Sequence, residues 1–562
     1  MLRSLNLARS TVGSRLPRSL AAASLAGRLG PQSALRAGRF SALTARFAST
    51  ESSEPPKKKK SSLFMQFFRL ALVSGVALAG YVGYGVYEEI ALPTQVPADK
   101  SKPRLVVVGS GWASTAFLKT LDFSKYDVTV ISARNYFLFT PLLPSTATGM
   151  IEHRSIMEPT RQVLRKKKTA STFVEGEVIA VDPYAKTVKV SMQENSHKKL
   201  DEGLPSYDID VPYDKLVFGV GSTTNTFNIN GVAENACFLK EIEDTQKIRK
   251  RIMDCMEAAS VPGLPSDERR RLMHAVVVGA GPTGVEFAGE LHDFVYKDMR
   301  KYNADVVKDF QVSLIEATHQ ILPSGFNKQL VNYAVDTLER EQIDVMTDTM
   351  VNGADKEKVY AMRKLPNGQK EKIEIPYGTF VWAGGVGVRS VIKDLFKAIP
   401  EQAHSRRGLK VDEYLRVKGT EDMWAIGDCA DAGLAPTAQV ASQEGSYVAH
   451  QLERLAHLRE LEEQQDSVAD PALRANFERH HRRVADIPQF QYSHQGSLAY
   501  IGSDKAVADL TFRGVNYAYG GMLTYVFWRS AYLSMVVSMR NKLLVALDWT
   551  KVLLFGRDIS RE

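Results

Sequence analysis

The sequence predicts an α/β protein with two parallel β-sheets, because a pattern of strand, glycine loop and helix occurs twice. The first copy is VVVGSGWASTAFL, which begins at Val106, and the second is VVVGAGPTGVEFAGEL, from Val276 to Leu291. A third segment, MWAIGDCA, places a short strand before Gly427 and Asp428. Glycines at such turns let the backbone approach a pyrophosphate at the helix N-terminus. One loop of this kind is a weak signal, but two of them predict two Rossmann-like dinucleotide-binding domains.

The N-terminal segment carries the basic character of the chain. The 562 residues have a net charge of +8, and residues 1–50 hold eight arginines without any Asp, Glu or Lys, so the remainder is balanced (8 − 8 = 0). A segment rich in Arg, Ser and Ala and free of acids is typical of a mitochondrial transit peptide, which we predict for residues 1–50; the alternative is a disordered basic tail. Because the charge is confined there, the sequence supplies no argument for a nucleic-acid-binding face.

An apolar segment over residues 63–90 follows a run of four lysines. Leu70 to Tyr87 contains 18 residues without a charge, which is about 27 Å as a helix, and two glutamates follow. We predict one transmembrane helix over residues 63–90, with a buried core helix as the alternative. The positive-inside rule then places the rest of the chain in the intermembrane space, with the matrix side as the alternative.

Cysteine usage and acidic motifs argue against a metal or dithiol centre. The three cysteines, Cys237, Cys255 and Cys429, form neither a C-x-x-C pair nor a metal-ligand spacing, and the sequence contains no D-x-D-x-D-G calcium loop. We therefore predict no metal site and no dithiol redox centre.

The first glycine loop has Gly109 and Gly111 at its first two positions and Ser114 at the third. Gly109 permits the tight turn, Gly111 lets the backbone approach a pyrophosphate, and the small Ser114 side chain still allows the helix to pack closely. The following strand ends at Ser132, where a dinucleotide site often has an acid for a ribose hydroxyl. The sequence therefore leaves open which atom binds the first ribose.

The second loop has glycine at all three positions, Gly279, Gly281 and Gly284, and the strand after it ends at Glu316. A carboxylate there accepts both ribose hydroxyls and repels a 2′-phosphate, so NADH is expected in preference to NADPH. Glu316 lies 35 residues beyond Gly281 instead of the usual ~20. We attribute the excess to a lengthened helix over residues 292–310.

From Pro103 to the C-terminus, the motifs resemble those of the type II NADH:ubiquinone oxidoreductases, the single-subunit alternative NADH dehydrogenases of fungal and plant mitochondria, and in particular the external type of fungi. After the first glycine loop come YFLFTPLLPS and YDKLVFGVGSTTNTF, and after the second come VWAGGVGVR, AIGDC, APTAQVASQEG and the terminal LFGRDISRE. The resemblance implies a two-dinucleotide flavoprotein of the glutathione-reductase-like fold with a C-terminal membrane-anchoring domain.

In that family FAD, bound tightly but non-covalently, occupies the first loop and NADH is the substrate at the second. The resemblance implies an FAD-binding domain formed by residues 102–240 and 408–450, an inserted NADH-binding domain, 241–407, and a membrane-anchoring domain with amphipathic helices, 451–562. The implied FAD-binding residues are Gly109, Gly111, Ser114, Ser132, Gly221, Gly427 and Asp428. The implied NADH-binding residues are Gly279, Gly281, Gly284, Glu286, Glu316, Ala383, Gly384 and Gly385.

Glu286 lies five residues after Gly281, early in the helix. The resemblance makes it a catalytic residue near the nicotinamide and the flavin, where it orients one ring against the other; the alternative is a surface carboxylate that complements the helix dipole. The adjacent sequence FAG favours a close-packed helix, in which an idle carboxylate is costly. The small residues Ala383 to Gly385 suit a backbone close to the nicotinamide, or else an ordinary turn at a strand end.

Gln439 and Gln443 lie at i and i+4 and would share one helix face. Without the surrounding motif they would be surface residues, whereas the resemblance makes them catalytic, quinone-binding residues whose amides hydrogen-bond a quinone carbonyl. The last fifty residues hold two apolar segments, which the family context favours as a membrane platform over a pair of core helices. In the second segment the apolar face comprises Leu543, Leu544, Leu547, Val552, Leu553 and Phe555, with Trp549 beside it and Lys542 and Lys551 near lipid head groups.

The predicted activity is oxidation of NADH with reduction of ubiquinone through bound FAD in the respiratory chain of the mitochondrial inner membrane. No chain of ionisable residues lies inside the spanning helix and the sequence has no multi-span domain that could move protons, so we expect no pumping. A homodimer is expected. One alternative is a dihydrolipoamide-type disulfide reductase, which the lack of a cysteine pair after Gly111 disfavours. The other is a membrane-bound protein that binds NADH as a sensor or death-regulating partner.

Overall fold

The structure is a computed structural model that describes residues 61–192, 207–323, 325–465, 486–512 and 515–561. The predicted transit peptide therefore lies outside the described residues. The chain divides into two units, residues 1–72 and 73–562, and every sheet described below belongs to the second.

A helix of 30 residues, Ser61–Ile90, forms where the sequence has its apolar N-terminal segment. Across the described ranges no helix combines the length and the apolarity needed to cross a bilayer. The predicted transmembrane helix over residues 63–90 includes residues 63–71, whose side chains lie outside the described part of the structure, and it stays a prediction.

The first sheet has five parallel strands, in the order Met423–Ala425, Lys215–Phe218, Arg104–Val108, Asp127–Ser132 and Thr172–Glu175. Its central strand is aliphatic and buried on both faces, as parallel strands covered by helices are. The helix Trp112–Thr120 follows that strand and packs against the long helix Ala438–Gln465. A Cβ on Gly445 would lie 2.1 Å from the carbonyl oxygen of Ala113, so glycine is what allows the two helices to approach.

The second sheet is also parallel, in the order Cys237–Phe238, Thr379–Trp382, His274–Val278, Gln311–Ile315 and Ile343–Met346. All five residues of its central strand, HAVVV, are buried. Three helices contact this sheet: Ile242–Ala259, Pro282–Asp293 and Lys328–Arg340. A separate antiparallel sheet comprises Thr349–Ala354, Lys358–Lys364 and Lys370–Pro376.

The chain between the second glycine loop and Glu316 is not one lengthened helix. The α-helix ends at Asp293, and a π-helical turn, Phe294–Asp298, a 3-10 turn, Met299–Lys301, and a short helix, Ala304–Val307, follow it. The predicted continuous helix over residues 292–310 is therefore wrong. Asp298 turns inward to lie 3.8 Å from the Arg557 guanidinium, and Asn303 leaves the helical region with φ −131° and ψ 53°.

The C-terminal part contains a three-stranded antiparallel sheet followed by two helices. The strands are Ser497–Tyr500, Ala506–Phe512 and Val515–Gly521, and the helices are Met522–Met535 and Met539–Phe555. Both helices expose large apolar side chains, which are 45–87% accessible: Met522, Leu523, Val526, Phe527, Leu547, Leu553, Leu554 and Phe555. These two helices therefore carry many of the large apolar side chains that the described residues expose.

The remaining elements are short. The strands are Tyr136–Leu138, Met157–Pro159, Glu177–Asp182, Thr187–Ser191, Asp208–Pro212, Thr223–Thr224, Val386–Gly387, Leu409–Lys410 and Ala430–Asp431. The α-helices are Leu143–Ala147, Thr160–Arg165, Val232–Asn235, Ser266–Leu272 and Ser390–Ala398. The 3-10 turns are Phe123–Lys125, Thr140–Leu142, His153–Ile156, Pro400–Gln402 and Gly427–Cys429.

Candidate active site

In the first glycine loop, the packing of the protein requires glycine at position 109 but not at position 111. Gly109 has a φ of +108°, and a Cβ there would lie 2.2 Å from the carbonyl oxygen of Gly219. Gly111 has an ordinary φ of −79° as the residue before the helix Trp112–Thr120, and a Cβ on it would meet nothing within 4 Å. The space beside Gly111, at a helix N-terminus, therefore suits the close approach of an anionic group.

The two serines of the first dinucleotide-binding motif serve the packing of the loop. Ser114 is fully buried, and its Oγ lies 3.4 Å from the carbonyl oxygens of Val108 and Gly219. Ser132 stands at the strand end, where its Oγ donates to Ser110 Oγ at 2.9 Å. No carboxylate takes the place of Ser132, and an ion pair between Arg134 and Glu241 lies beside this strand end.

Gly427 and Asp428 lie beside Gly221, which is distant in sequence. Both glycines have positive φ, +73° at Gly427 and +68° at Gly221. The carboxylate of Asp428 accepts a 2.5 Å hydrogen bond from the hydroxyl of Ser222. The Ser222 Oγ in turn accepts a 2.7 Å hydrogen bond from Lys240 Nζ. The sequence reading missed Ser222 and Lys240, although Ser222 follows Gly221 directly. Burial lowers the pKa of Lys240, and the nearby Asp428 carboxylate opposes that shift.

A second acid that the sequence reading missed, Glu444, supports this turn. Its Oε2 accepts a 2.6 Å hydrogen bond from the backbone N–H of Gly427. Burial raises the pKa of Glu444 to about 7, while the bond from Gly427 opposes the rise. Glu444 therefore anchors the Gly427 turn to the long helix. The sequence did offer one signal for Glu444, because this residue directly follows Gln443 in the motif APTAQVASQEG.

In the second glycine loop the first and third glycines are required by the protein itself. Gly279 has a φ of +101°, and a Cβ there would lie 2.8 Å from Gly384 Cα. A Cβ on Gly284 would lie 1.9 Å from the carbonyl oxygen of Gly279, so the helix and the strand meet there. Gly281 resembles Gly111, because a Cβ on it would again meet nothing within 4 Å.

Glu316 lies at the end of the neighbouring strand and faces the same loop. Its Oε2 accepts a 2.9 Å hydrogen bond from the backbone N–H of Ala280. Its Oε1 accepts bonds from the N–H and the hydroxyl of Thr318, at 2.9 and 3.0 Å. A carboxylate oxygen has about two acceptor sites. Both sites of Oε1 are occupied, so the carboxylate is oriented and can still accept a hydroxyl group at Oε2.

The segment Ala383 to Gly385 connects the two sheets. A Cβ added to Gly284 would lie 3.5 Å from the Cβ of Ala383, and Gly384 lies against Gly279. Gly385 has a φ of +78°, and its carbonyl oxygen accepts a 3.2 Å hydrogen bond from the N–H of Asn225. The strand Val386–Gly387 then pairs with Thr223–Thr224. The Gly221 turn and the second glycine loop are therefore brought together by backbone hydrogen bonds.

Glu286 is buried in contact with the C-terminal part of the chain. Its side chain is 5% exposed, and its Oε1 accepts hydrogen bonds from the N–H of Tyr500 at 3.1 Å and the hydroxyl of Tyr532 at 3.2 Å. Burial raises the pKa of Glu286 to about 8. The carboxyl group is therefore predominantly protonated at neutral pH.

An aromatic series leads from Glu286 towards the first glycine loop. The Tyr532 ring lies 6.3 Å from the Phe139 ring, centroid to centroid, and Phe139 lies 5.4 Å from Trp112, the neighbour of Gly111. The sequence reading missed Tyr500 and Tyr532 because each lies more than 200 residues from Glu286 and neither belongs to a nucleotide-binding motif.

The amides of Gln439 and Gln443 are engaged with the segment 492–496. Gln439 Nε2 donates to the carbonyl oxygen of Gly496 at 2.8 Å, and its Oε1 accepts from the Tyr492 hydroxyl at 3.2 Å. Gln443 forms a paired interaction with Ser493, donating to its carbonyl oxygen at 2.8 Å and accepting from its N–H at 2.9 Å. The two glutamines share one helix face, and that face contacts the irregular segment 492–496.

The described residues contain no group of three or more His, Cys, Asp or Glu side chains arranged to hold a metal ion. The three cysteines, Cys237, Cys255 and Cys429, are all buried and free. The site has two open glycine turns at helix N-termini, and the buried Glu286 lies on the helix that follows the second turn. Open glycine turns at helix N-termini suit the pyrophosphates of dinucleotides.

Two protein families match separate parts of the chain. The family described as pyridine nucleotide-disulphide oxidoreductase matches residues 103–445, and the family described as NDH2 C-terminal domain matches residues 494–558. The first match contains both glycine loops and the Gly427 turn, and the second contains Tyr500, Tyr532 and Arg557.

Curated relatives match over nearly their whole length. An "External alternative NADH-ubiquinone oxidoreductase, mitochondrial" of Yarrowia lipolytica is 49% identical over 526 residues, which cover 90% of this chain and 89% of the relative. An "External NADH-ubiquinone oxidoreductase 2, mitochondrial" of Saccharomyces cerevisiae is 43% identical, covering 92% and 95%. Among solved structures, NDH2 from Plasmodium falciparum in complex with NADH is 28% identical with a TM-score of 0.71, covering 82% of this chain and all of that one.

Proposed function

Because the chain belongs to the type II NADH:ubiquinone oxidoreductases, within the pyridine nucleotide-disulphide oxidoreductases, we propose that it oxidises NADH and reduces ubiquinone. The observation that carries the proposal is the pair of open glycine turns, with the buried Glu286 on the helix that follows the second turn. The reaction consumes one proton from solvent, because ubiquinone takes up two electrons and two protons while NADH supplies a hydride. No step of it requires proton transfer across a membrane.

The proposed cofactor of the first loop is FAD, held tightly without a covalent bond. The open space at Gly111 would take the pyrophosphate, and the linked side chains of Asp428, Ser222 and Lys240 would bind the ribityl and phosphate groups. Ser114 and Ser132 shape the loop. When bound, the flavin supplies the two-electron relay between the donor and the acceptor.

The proposed substrate of the second loop is NADH. Gly281 leaves space for its pyrophosphate at the N-terminus of the helix Pro282–Asp293. Glu316, oriented by Ala280 and Thr318, would accept a ribose hydroxyl and repel the 2′-phosphate of NADPH. Gly384 and Gly385 present backbone without side chains where the nicotinamide would lie.

Glu286 is the proposed catalytic residue that orients the nicotinamide against the flavin. Because its carboxyl group holds a proton below about pH 8, it adds no negative charge where the anionic NADH arrives. Tyr500 and Tyr532 fix one of its oxygens, and the surrounding aromatic rings exclude water from it. Water exclusion protects the hydride during its transfer.

Gln439 and Gln443 are proposed as quinone residues. Both lie on the helix that packs against the helix following Gly111, on the side closed by the segment 492–496. Their amide groups hold that segment, so we propose that they shape the quinone-facing wall. A direct bond from either amide to a quinone carbonyl would replace one of these backbone hydrogen bonds.

The proposed location is the mitochondrial inner membrane. Residues 1–50 would direct import, and the exposed apolar side chains of Met522–Met535 and Met539–Phe555 would form a membrane platform that admits the hydrophobic quinone. The relatives named external support an orientation towards the intermembrane space. We also propose a homodimer, which sedimentation of the purified chain tests.

Anaerobic titration tests the proposed function. One equivalent of NADH should bleach the flavin absorbance of the purified, FAD-loaded chain, and a short-chain ubiquinone should restore it without a lag. If NADH bleaches the flavin but the quinone does not restore its absorbance, the chain oxidises NADH with a different electron acceptor. Failure of NADH to bleach the flavin would instead favour an NADH-binding sensor.

A further inference from the structure

A junction between two helices lies at the edge of the exposed apolar surface. The backbone N–H of Met539, at the start of its helix, donates to Glu89 Oε1 at 3.0 Å near the end of the helix Ser61–Ile90. A Cβ on Gly85 would lie 2.3 Å from the Met539 side chain, so the two helices are in close contact. The junction is therefore built from segments that are more than 400 residues apart in sequence.

Three lysines surround this junction: Lys119, Lys166 and Lys542. Lys166 Nζ lies 2.9 Å from Glu89 Oε2, and Lys542 Nζ lies 3.4 Å from the Tyr81 hydroxyl. Lys119 is exposed, and in the described part of the chain its amine makes no hydrogen bond or ion pair. The carbonyl oxygen of Lys119 accepts a 2.8 Å hydrogen bond from Nζ of Lys167, the residue after Lys166, so Lys119 lies at the same edge of the molecule as Lys166.

The acids that face the lysines do not balance them. Glu89 is shared among Lys166, the Gln162 amide at 2.9 Å and the Met539 N–H. Glu158 is 1% exposed, accepts a 2.5 Å hydrogen bond from Ser538 Oγ, and has its pKa raised by burial. An excess of positive charge therefore remains, and an added anion would lower the free energy of the cluster.

Exposed apolar and aromatic side chains border the lysines. On the first helix Val76, Tyr81 and Tyr84 are 56–66% exposed, and on the second Leu547 and Leu553 are 63% and 82% exposed. Lysines beside apolar helix faces carry their amines at the depth of lipid phosphates while their stems cover apolar surface. By contrast, Lys551 further along the second helix is neutralised by Glu152 at 2.7 Å.

We propose that Lys119, Lys166 and Lys542 bind the phosphate of an anionic phospholipid, so that this surface prefers an anionic bilayer to a neutral one. The inference rests on the membrane platform of the proposed function and adds its lipid selectivity. Charge complementarity identifies the partner, because three amines with one exposed, unpaired member match a phosphate at the edge of an apolar surface.

Vesicle flotation of the full-length, flavin-loaded chain tests the inference. Phosphatidylcholine vesicles are compared with vesicles in which one lipid in five is phosphatidylglycerol. The variant K119Q/K542Q should lose about fivefold in partition to the anionic vesicles for each lysine removed, roughly 25-fold in total. The charge-preserving variant K119R/K542R should retain the preference. The matched control K356Q/K372Q should also retain it; this variant removes one exposed lysine from a strand of the antiparallel sheet and one from a turn of that sheet.

Equal binding of the unaltered chain to both kinds of vesicle would overturn the inference, as would an equal loss in K356Q/K372Q. Retained NADH:quinone activity in detergent would then leave the proposed function standing. Binding to neither kind of vesicle would defeat the membrane platform as well. Flavin content and bleaching by NADH verify that each variant is folded.

Discussion

The guanidinium of Arg557 donates two hydrogen bonds to Glu290, one to the backbone carbonyl oxygen at 2.8 Å and one to the carboxylate at 2.6 Å. The Arg557 side chain is 2% exposed. The other carboxylate oxygen of Glu290 accepts a 2.9 Å bond from Ser145 Oγ. Because Glu290 lies one turn beyond Glu286, the end of the chain holds the helix of Glu286 against the segment that contains Ser145.

Replacement of Arg557 by Met should destabilise the protein strongly. The change leaves Glu290 buried without its ionic partner, which costs about 3–5 kcal/mol in the free energy of unfolding. The double variant R557M/E290L should recover much of that loss, since removal of both charges avoids the unpaired one. Denaturant unfolding measures both. If the loss in the free energy of unfolding of the double variant equals the sum of the losses in the two single variants, the two side chains do not interact as a pair.

Replacement of Glu286 by Gln should change how stability depends on pH. Folding raises the pKa of this carboxyl group from its ordinary value of 4.5 to about 8, so the folded state binds more protons than the unfolded state between those values. The unaltered protein should therefore lose stability as the pH rises from about 4.5 to 8, by an amount on the order of a few kcal/mol. E286Q should lack this slope. Thermal unfolding across that pH range is the measurement, and parallel curves would show that Glu286 is ionised in the folded state.

Two glycine variants of the first loop should separate cofactor binding from protein packing. In G111A the new Cβ meets no protein atom, so stability without flavin should change by no more than about 0.5 kcal/mol. Its flavin affinity should fall roughly tenfold or more. In G109A the Cβ would strike the Gly219 carbonyl at a positive φ, so stability should fall even without flavin. Flavin titration of the unloaded chain checks this, and full flavin affinity in G111A would contradict a pyrophosphate at that turn.

Replacement of Gln439 by Ala should separate the two acceptor activities. Loss of its bonds to Gly496 and Tyr492 loosens the segment 492–496, so quinone reduction should fall by roughly tenfold. Oxidation of NADH by ferricyanide should persist, because the second glycine loop is unaffected. Q443A, which frees Ser493, serves as the companion variant. Equal loss of both activities would contradict a specific role of the two glutamines in quinone reduction.

Replacement of Glu316 by Ala should narrow the preference for NADH over NADPH by about tenfold or more, since the repulsion of the 2′-phosphate disappears. T318A is the matched control, because it removes one hydrogen bond to the carboxylate and leaves its charge in place. The ratio of kcat/KM values for the two nucleotides is the measurement. An unchanged ratio in E316A would refute the ribose contact.

Much of the fold was predictable because its determinants are local. The apolar strands before Gly109 and Gly279, and the positive φ of both glycines, are requirements of a few neighbouring residues. The predicted strand before Gly427 also forms, as Met423–Ala425 in the first sheet. The lengthened helix over residues 292–310 was wrong because burial of Asp298 beside Arg557 depends on a residue from the far end of the chain.

The sequence by itself determined the two glycine turns and the acid at Glu316, since backbone geometry and short spacing define them. Tertiary structure alone determined the environment of Glu286. Tyr500 and Tyr532 reach it from 214 and 246 residues away, and Arg557 holds the next turn of its helix from 267 residues away. The physical reason is that a raised carboxyl pKa requires removal of water from every side, and no segment of the chain can provide that without its distant partners.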